Sequence, residues 1–225
     1  MGEQGYVSVA GAPEEEFAFA SAKAPSRGEW LALALKRAAD LSIGVPTCLL
    51  LVPFIAAIAV AIRIDSPGPA FFTQTRRGFR FRRFTIVKFR SLRHRAPDPH
   101  DRYEMLEADP RITRVGSWLR KTSLDEVPQL FNVLAGSMSL VGPRPLVEWE
   151  SQQARADFPE RFLVKPGLTG WGQVTVRNSV DFKTRCEKDV EYVRRQSFRL
   201  DLLILALTPL ALLRRGRIYP DESQP

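Results

Sequence analysis

The chain has 225 residues, 44% of them hydrophobic, and a formal charge of +8 from 33 basic and 25 acidic side chains. That length sets one domain, or one domain plus an appendage, and the basic excess suits nucleic acid, anionic lipid or a phosphorylated substrate. Two cysteines, Cys48 and Cys186, make no disulfide framework and favour a reducing compartment, while two histidines and no Cys-x-x-Cys spacing argue against a zinc site.

Residues 1–28 read as a disordered tail, rich in Gly, Ala, Pro and Ser, with a Glu14-Glu-Glu16 run and no early apolar core of the secretory kind. Residues 29–63 form the membrane element. Lys36 and Arg37 precede an uncharged run from Leu41 to Ile62, and Arg63 follows it. Such a run, at about 1.5 Å per residue, would give about 33 Å, enough for a plain spanning helix. Positive charge at both ends leaves the positive-inside rule without a direction. Pro46 and Pro53 interrupt the run, and Pro53 cannot donate to the carbonyl of Leu49, which predicts a bend near mid-depth. A bent helix with both ends on one side satisfies all of these features.

Asp65-Ser-Pro-Gly-Pro69 is a turn. Ala70 to Thr75 and Phe79 to Phe89 read as extended segments around Arg77-Gly78. From Arg76 to Arg95 there are nine Lys or Arg and no acid. A solvated basic face and a nucleic-acid surface with stacking aromatics are two readings of that stretch. A third is contact with anionic headgroups and a diphosphate, favoured by the adjoining membrane helix. Ala96 to Pro110 is a surface loop with a short helical piece from Arg102 to Ala108. Arg111 to Lys121 is helical, with Val115, Trp118 and Leu119 on one face and Trp118 as an interfacial or core anchor.

Ser123-Leu-Asp-Glu-Val-Pro-Gln-Leu-Phe-Asn132 follows, centred on the adjacent carboxylates Asp125 and Glu126, with Arg111, Arg114, Arg120 and Lys121 upstream. Ser123 and Glu126 fit a capping box, the plain explanation of the pair. Leu124, Val127, Leu130, Phe131 and Leu134 recur at helical spacing and Gly136 stops the helix. Pro128 would lose a backbone bond past the first turn, so a helix starting at Val127 or Pro128 is the competing reading. It leaves both acids on the entry turn. Val141-Gly-Pro-Arg-Pro145 holds Arg144 between two prolines. A structural turn explains it, and a fixed arginine fork also suits a phosphate. Leu146 to Phe158 reads as a helix, Val164 to Val174 as a glycine-rich tight loop without the P-loop pattern, and Asp181 to Arg195 as an amphipathic helix. That helix packs Phe182, Cys186, Val190 and Val193 inward. Leu202 to Leu213 is apolar but too short to span, and Arg214, Arg215 and Arg217 end it.

Three blocks, Arg114 through Glu126, Phe131-Asn-Val-Leu-Ala-Gly136 and Met138-Ser-Leu-Val-Gly-Pro-Arg-Pro145, closely resemble the monotopic phosphoglycosyl transferases. These are bacterial sugar transferases that start glycan assembly on a polyprenol carrier. Lys88-Phe-Arg-Ser-Leu92 and Pro166-Gly-Leu-Thr-Gly-Trp171 resemble further motifs of that family, and the likeness runs from about Lys36 to about Leu213. It implies a mainly α fold with a small β element (α+β). A re-entrant helix–break–helix, broken at Pro53, would precede a cytoplasmic catalytic domain over 64–217, with interfacial amphipathic helices and a tail at 218–225. The family often has serine before that proline; this chain has Val52.

The resemblance also implies the chemistry. Asp125 is the expected nucleophile and Glu126 the ligand of Mg²⁺. Lys88, Arg90, Arg120, Arg144 and Arg177 are the expected phosphate contacts, and Pro143 and Pro145 shape the loop beside the site. The expected partners are a UDP-sugar, polyprenol (undecaprenyl) phosphate and membrane lipid, with no nucleic acid; oligomeric state stays open, a homo-oligomer included. The expected location is the cytoplasmic face of a bacterial inner membrane, at the first membrane step of exopolysaccharide, O-antigen or glycoconjugate assembly. Two alternatives remain: direct transfer in a ternary complex with Asp125 as base, and a non-catalytic basic scaffold anchored at the membrane.

Overall fold

The apolar run folds as one helix. A computed structural model describes residues 27–93, 109–176 and 181–213. In it α1 runs unbroken over Arg27–Asp65, with Pro46 and Pro53 inside it. At Pro53, where a helix–break–helix was expected, helical geometry continues through the proline. The physical reason lies in what the helix packs on. Asp40, Gly44, Cys48, Ile55 and Ile62 are buried at helical spacing on both sides of Pro53. Continuous burial of that stripe offsets the backbone bond that proline removes, a loss of about 3 kcal/mol. The opposite side stays apolar and exposed, as at Leu49, Leu50, Phe54 and Val60.

Both ends of α1 are tied to the same body. Lys36 pairs with Asp201 at 2.6 Å, and Arg37 donates to the carbonyls of Val133 and Leu134. Buried Asp40 accepts from Ser139 Oγ and the Leu140 N–H. At the far end Asp65 accepts from the Val115 N–H. The helix is long and apolar enough to cross a membrane.

After α1 the chain forms a hairpin of β1 (Phe71–Arg77) and β2 (Arg83–Phe89), antiparallel from Phe71 opposite Phe89 to Arg77 opposite Arg83. The expected boundary at Arg77-Gly78 shifts, because the turn centres on Arg80 and Phe81, both with positive φ. Phe81 is buried there, edge-on to Phe162 at 5.1 Å. Then come α2 (Arg114–Thr122), a 3-10 turn over Leu124–Glu126, and α3 (Gln129–Ala135). Trp118 is half exposed, so it is not a core anchor. Gly136 ends α3 at φ 84°, as its sequence position predicts.

The strands β3 (Ser139–Val141) and β4 (Gly167–Thr169) pair in parallel. The glycine-rich segment thus supplies a strand, where a tight loop was expected. A Cβ on Gly167 would lie 2.0 Å from the Gly142 nitrogen, so glycine is what allows the two chains to meet. The remaining helices are α4 (Glu148–Asp157), α5 (Trp171–Thr175), α6 (Phe182–Arg195) and α7 (Phe198–Leu213). On α6, Cys186 and Val190 are buried as expected. On α7, Ile204 is buried while Phe198, Leu202, Leu203 and Leu210 are exposed. The architecture is mostly helical with two small sheets. The tail at 1–26, the piece Arg102–Ala108, Arg177 and the basic end from Arg214 onward lie outside the described residues.

Arg90 belongs to this framework. It is 5% exposed, and its guanidinium donates to the carbonyls of Ser66 and Pro67 and to Ser66 Oγ, at 2.7, 2.7 and 2.9 Å. Where a substrate-phosphate contact was expected, these bonds clamp the end of α1 to the hairpin. Arg90→Ala leaves those buried carbonyls without a donor. It is expected to cost about 1.5–3 kcal/mol, read as a lower thermal midpoint in detergent.

Candidate active site

Ser123 takes a left-handed conformation, φ 58°, that ends α2 and starts the 3-10 turn. The turn carries Asp125 and Glu126, and α3 follows behind Pro128, so both acids lie on the entry turn. The capping box does not form. Ser123 Oγ is buried without a partner, and the Glu126 carboxylate turns to stronger, charged donors.

Glu126 Oε1 accepts from Lys88 Nζ and from Arg144 Nη2, each at 2.9 Å. Lys88 comes from β2 and Arg144 from the loop after β3. Asn132 of α3 sets the first of these positions. Its side-chain amide bonds the Val87 N–H and the Thr85 carbonyl, replacing a strand neighbour along β2. The second is set by buried Pro143 and Pro145, and by Arg161, which donates to the Arg144 carbonyl at 2.8 Å while paired with buried Asp189 at 2.6 Å.

The two acids are electrostatically unlike. Burial opposes ionisation of Glu126, but Arg144 and Lys88 outweigh it and hold its carboxyl far below the usual range. For Asp125, burial and then the charge of Glu126 push the carboxyl upward, against the pull of Lys88, Arg144 and Arg120. Asp125 has no ion-pair or hydrogen-bond partner among the described residues. One carboxylate is therefore held ionised by two cations, while the other is pushed toward its protonated form.

Arg76, which the sequence reading did not single out, also lines the site. It bonds Gln74 Oε1 at 2.6 Å and the Pro145 carbonyl at 3.3 Å. Burial, and then the charge of Arg144, bring its pKa down to about 10. Residues opposite one another in the hairpin share a face, and the register puts Gln74 against Ile86 and Phe72 against Lys88. Arg76, Ile86 and Lys88 thus line one small cleft together with Glu126, Gln129 and Arg144. A hairpin turn placed at Arg80 would have exposed this signal in the sequence.

Among the described residues no three His, Cys, Asp or Glu converge as a metal cage. The pair Asp125–Glu126 still fits Mg²⁺, which takes one or two carboxylates and completes its shell with phosphate oxygens and water. Glu126 Oε2 has a single long contact, 3.5 Å to Arg144, and is the freer of its two oxygens.

The sign of the pH dependence follows from these shifts. Glu126 is held below its ordinary 4.5, so its contribution is present above that pH and is lost as pH falls toward the lower folded value. Asp125 is raised above its ordinary 3.8, so its ionisation costs stability once pH rises from there through the folded value. At pH 7, Asp125→Asn is expected to keep or raise the thermal midpoint. Glu126→Gln is expected to cost about 1.5–3 kcal/mol of stability and so lower the midpoint, a gap that closes as pH drops below 4.5. Midpoints across a pH series check both.

Comparison with known proteins places this site in a family. A family model described as bacterial sugar transferase matches residues 31–215. The UDP-glucose:undecaprenyl-phosphate glucose-1-phosphate transferase of Escherichia coli (strain K12) is 41% identical over 182 residues, covering 77% of this chain and 39% of that protein. The undecaprenyl-phosphate galactose phosphotransferase of Salmonella typhimurium is 40% identical, over 82% of this chain and 42% of its own length. The chain thus spans about two-fifths of these two relatives. The exopolysaccharide production protein PSS of Rhizobium leguminosarum is 37% identical over 196 residues, 98% of its length. With the model match spanning most of the chain and a relative matched nearly end to end, this protein belongs to the bacterial sugar transferase family.

Proposed function

We propose that the chain transfers a sugar 1-phosphate from a UDP-sugar to a polyprenol phosphate in two steps. The observation that carries this is the division of labour between adjacent acids: Glu126 is locked by Lys88 and Arg144, while Asp125 beside it is half-buried, has no partner among the described residues and is made more basic. In the first step an Asp125 oxygen attacks the β-phosphorus. The bond to the bridging oxygen breaks, and UMP leaves with that electron pair. In the second step a phosphate oxygen of the polyprenol phosphate attacks the same phosphorus and the Asp125 carboxylate departs. The products are UMP and a polyprenyl diphosphate carrying the sugar. Splitting the transfer in this way suits a carboxylate nucleophile.

The surrounding cations supply charge stabilisation. Lys88, Arg144 and Arg76 face the cleft, and Arg120 acts on Asp125 through space. Arg177 is proposed as a further phosphate contact by family resemblance alone. Glu126 would hold Mg²⁺ through its freer oxygen, and the bound ion would neutralise part of the diphosphate charge. Relatives named for glucose and for galactose support a hexose phosphate without choosing between them.

The membrane arrangement is part of the proposal. Both ends of α1 are tied to the catalytic body, and its buried stripe lies against that body between them. This supports a helix that enters a leaflet and keeps both ends on one face, there presenting exposed apolar side chains with those of α7. The water-soluble donor sets that face as the cytoplasmic one, at the first membrane step of glycan assembly. The name of the Rhizobium relative supports an exopolysaccharide product.

The test is the intact mass of the detergent-purified chain incubated with Mg²⁺ and UDP-glucose, UDP-galactose or an N-acetylated UDP-sugar, without lipid. A sugar-phosphate adduct is expected with one donor and none with Asp125→Asn. UMP release on adding polyprenol phosphate without any adduct would point to direct transfer. Neither signal with any donor would leave the scaffold reading.

A further inference from the structure

Gln129 stands three residues beyond Glu126, on the first turn of α3, and is 2% exposed. Its Nε2 is buried and has no hydrogen-bond partner. The amide of Asn132, one turn later on the same helix, is satisfied by the backbone of β2. Leaving a buried donor unpaired costs stability, and an apolar side chain of similar size would avoid that cost. Packing alone therefore does not account for glutamine at this position.

The cleft that Gln129 lines accounts for it. Arg76, Lys88 and Arg144 face the same space, with Glu126 as the acid. Its volume is about 10 Å³, enough for one water or one oxygen atom. The cleft is partly open to solvent, and one non-bridging oxygen of a phosphoryl group fits its inner space. Three cations and the Gln129 side chain line this pocket, and such a lining suits an acceptor. A water would fit the space too, but among the lining side chains only Glu126 offers its protons a charged acceptor.

We infer that Gln129 contacts the substrate: its carboxamide donates to a non-bridging phosphoryl oxygen lodged in this cleft. The contact rests on the phosphoryl-transfer reading and deepens it. The cations supply attraction without direction, whereas an amide on a helix turn fixes which oxygen enters and so which face of phosphorus meets Asp125. A neutral donor adds this without further pairing to Glu126.

The test uses the full chain in detergent, with UDP binding by calorimetry, UMP release with a UDP-sugar and polyprenol phosphate, and thermal midpoint. Gln129→Leu is expected to keep or raise the midpoint, to weaken UDP binding about tenfold and to slow UMP release at least tenfold. Gln129→Glu is expected to weaken UDP binding further by repelling the phosphate. Unchanged binding and rate in Gln129→Leu would overturn the inference and leave a packed or water-bound amide. A lower midpoint in both Gln129→Leu and Gln129→Met would also overturn it, by showing that the amide serves the fold. Wild-type chain that binds UDP but releases no UMP would sink the transfer reading, while UDP affinity of the variants still decides Gln129. Wild-type chain that binds no UDP would overturn the inference as well.

Discussion

One carboxylate shared by two cations holds the site together. Glu126 takes Lys88 from the hairpin and Arg144 from the Pro-Arg-Pro loop on the same oxygen. Three segments far apart in the chain are fixed to one another by that contact. A largely desolvated acid with a single cation would be weakly compensated; with two it is held ionised. Its neighbour Asp125 meets the same burial and adds the repulsion of Glu126, with no cation bonded to it. Adjacent positions in sequence thus acquire opposite properties.

The framework behind this clamp is arranged to keep the cations still. Asn132 bonds β2 as a strand would, fixing the height of Lys88. Arg161, paired with Asp189, holds the backbone of Arg144, and the prolines on either side restrict it further. The long apolar helix α1 joins the same framework, through Arg37 bonded to α3 and Asp40 bonded to β3. Its packing reaches the core that supports the site, with Ile55 and Ile62 clustered with Phe89 and Leu119. A site so connected sits at a fixed distance from whatever surface α1 occupies, which suits a reaction between a soluble donor and a lipid acceptor.

Much of this was legible in the sequence. Local geometry is set by local chemistry, so Pro128 delayed α3 and Gly136 ended it where expected. Asp125 and Glu126 stood out through the family-like motifs around them, since the pair alone fits a capping box. Other features depend on partners remote in sequence. Arg90 and Lys88 are two residues apart in one basic run and look equivalent. One reaches the carbonyls at the end of α1 and the other reaches Glu126, because the strand ends at Phe89 between them. Arg76 was overlooked because its place follows from hairpin register, and the turn centres on Arg80 and Phe81 in an uncommon backbone conformation.

The sequence alone determined the apolar run, the acidic pair, the arginine between prolines and the membership of a family, since each resides in a short contiguous pattern. Tertiary structure decided which cation meets which acid, that α1 stays helical through Pro53, and that Gln129 faces a cleft with its amide unpaired. Those outcomes depend on distances between segments, and burial sets their energies. Neither quantity exists until the segments have packed.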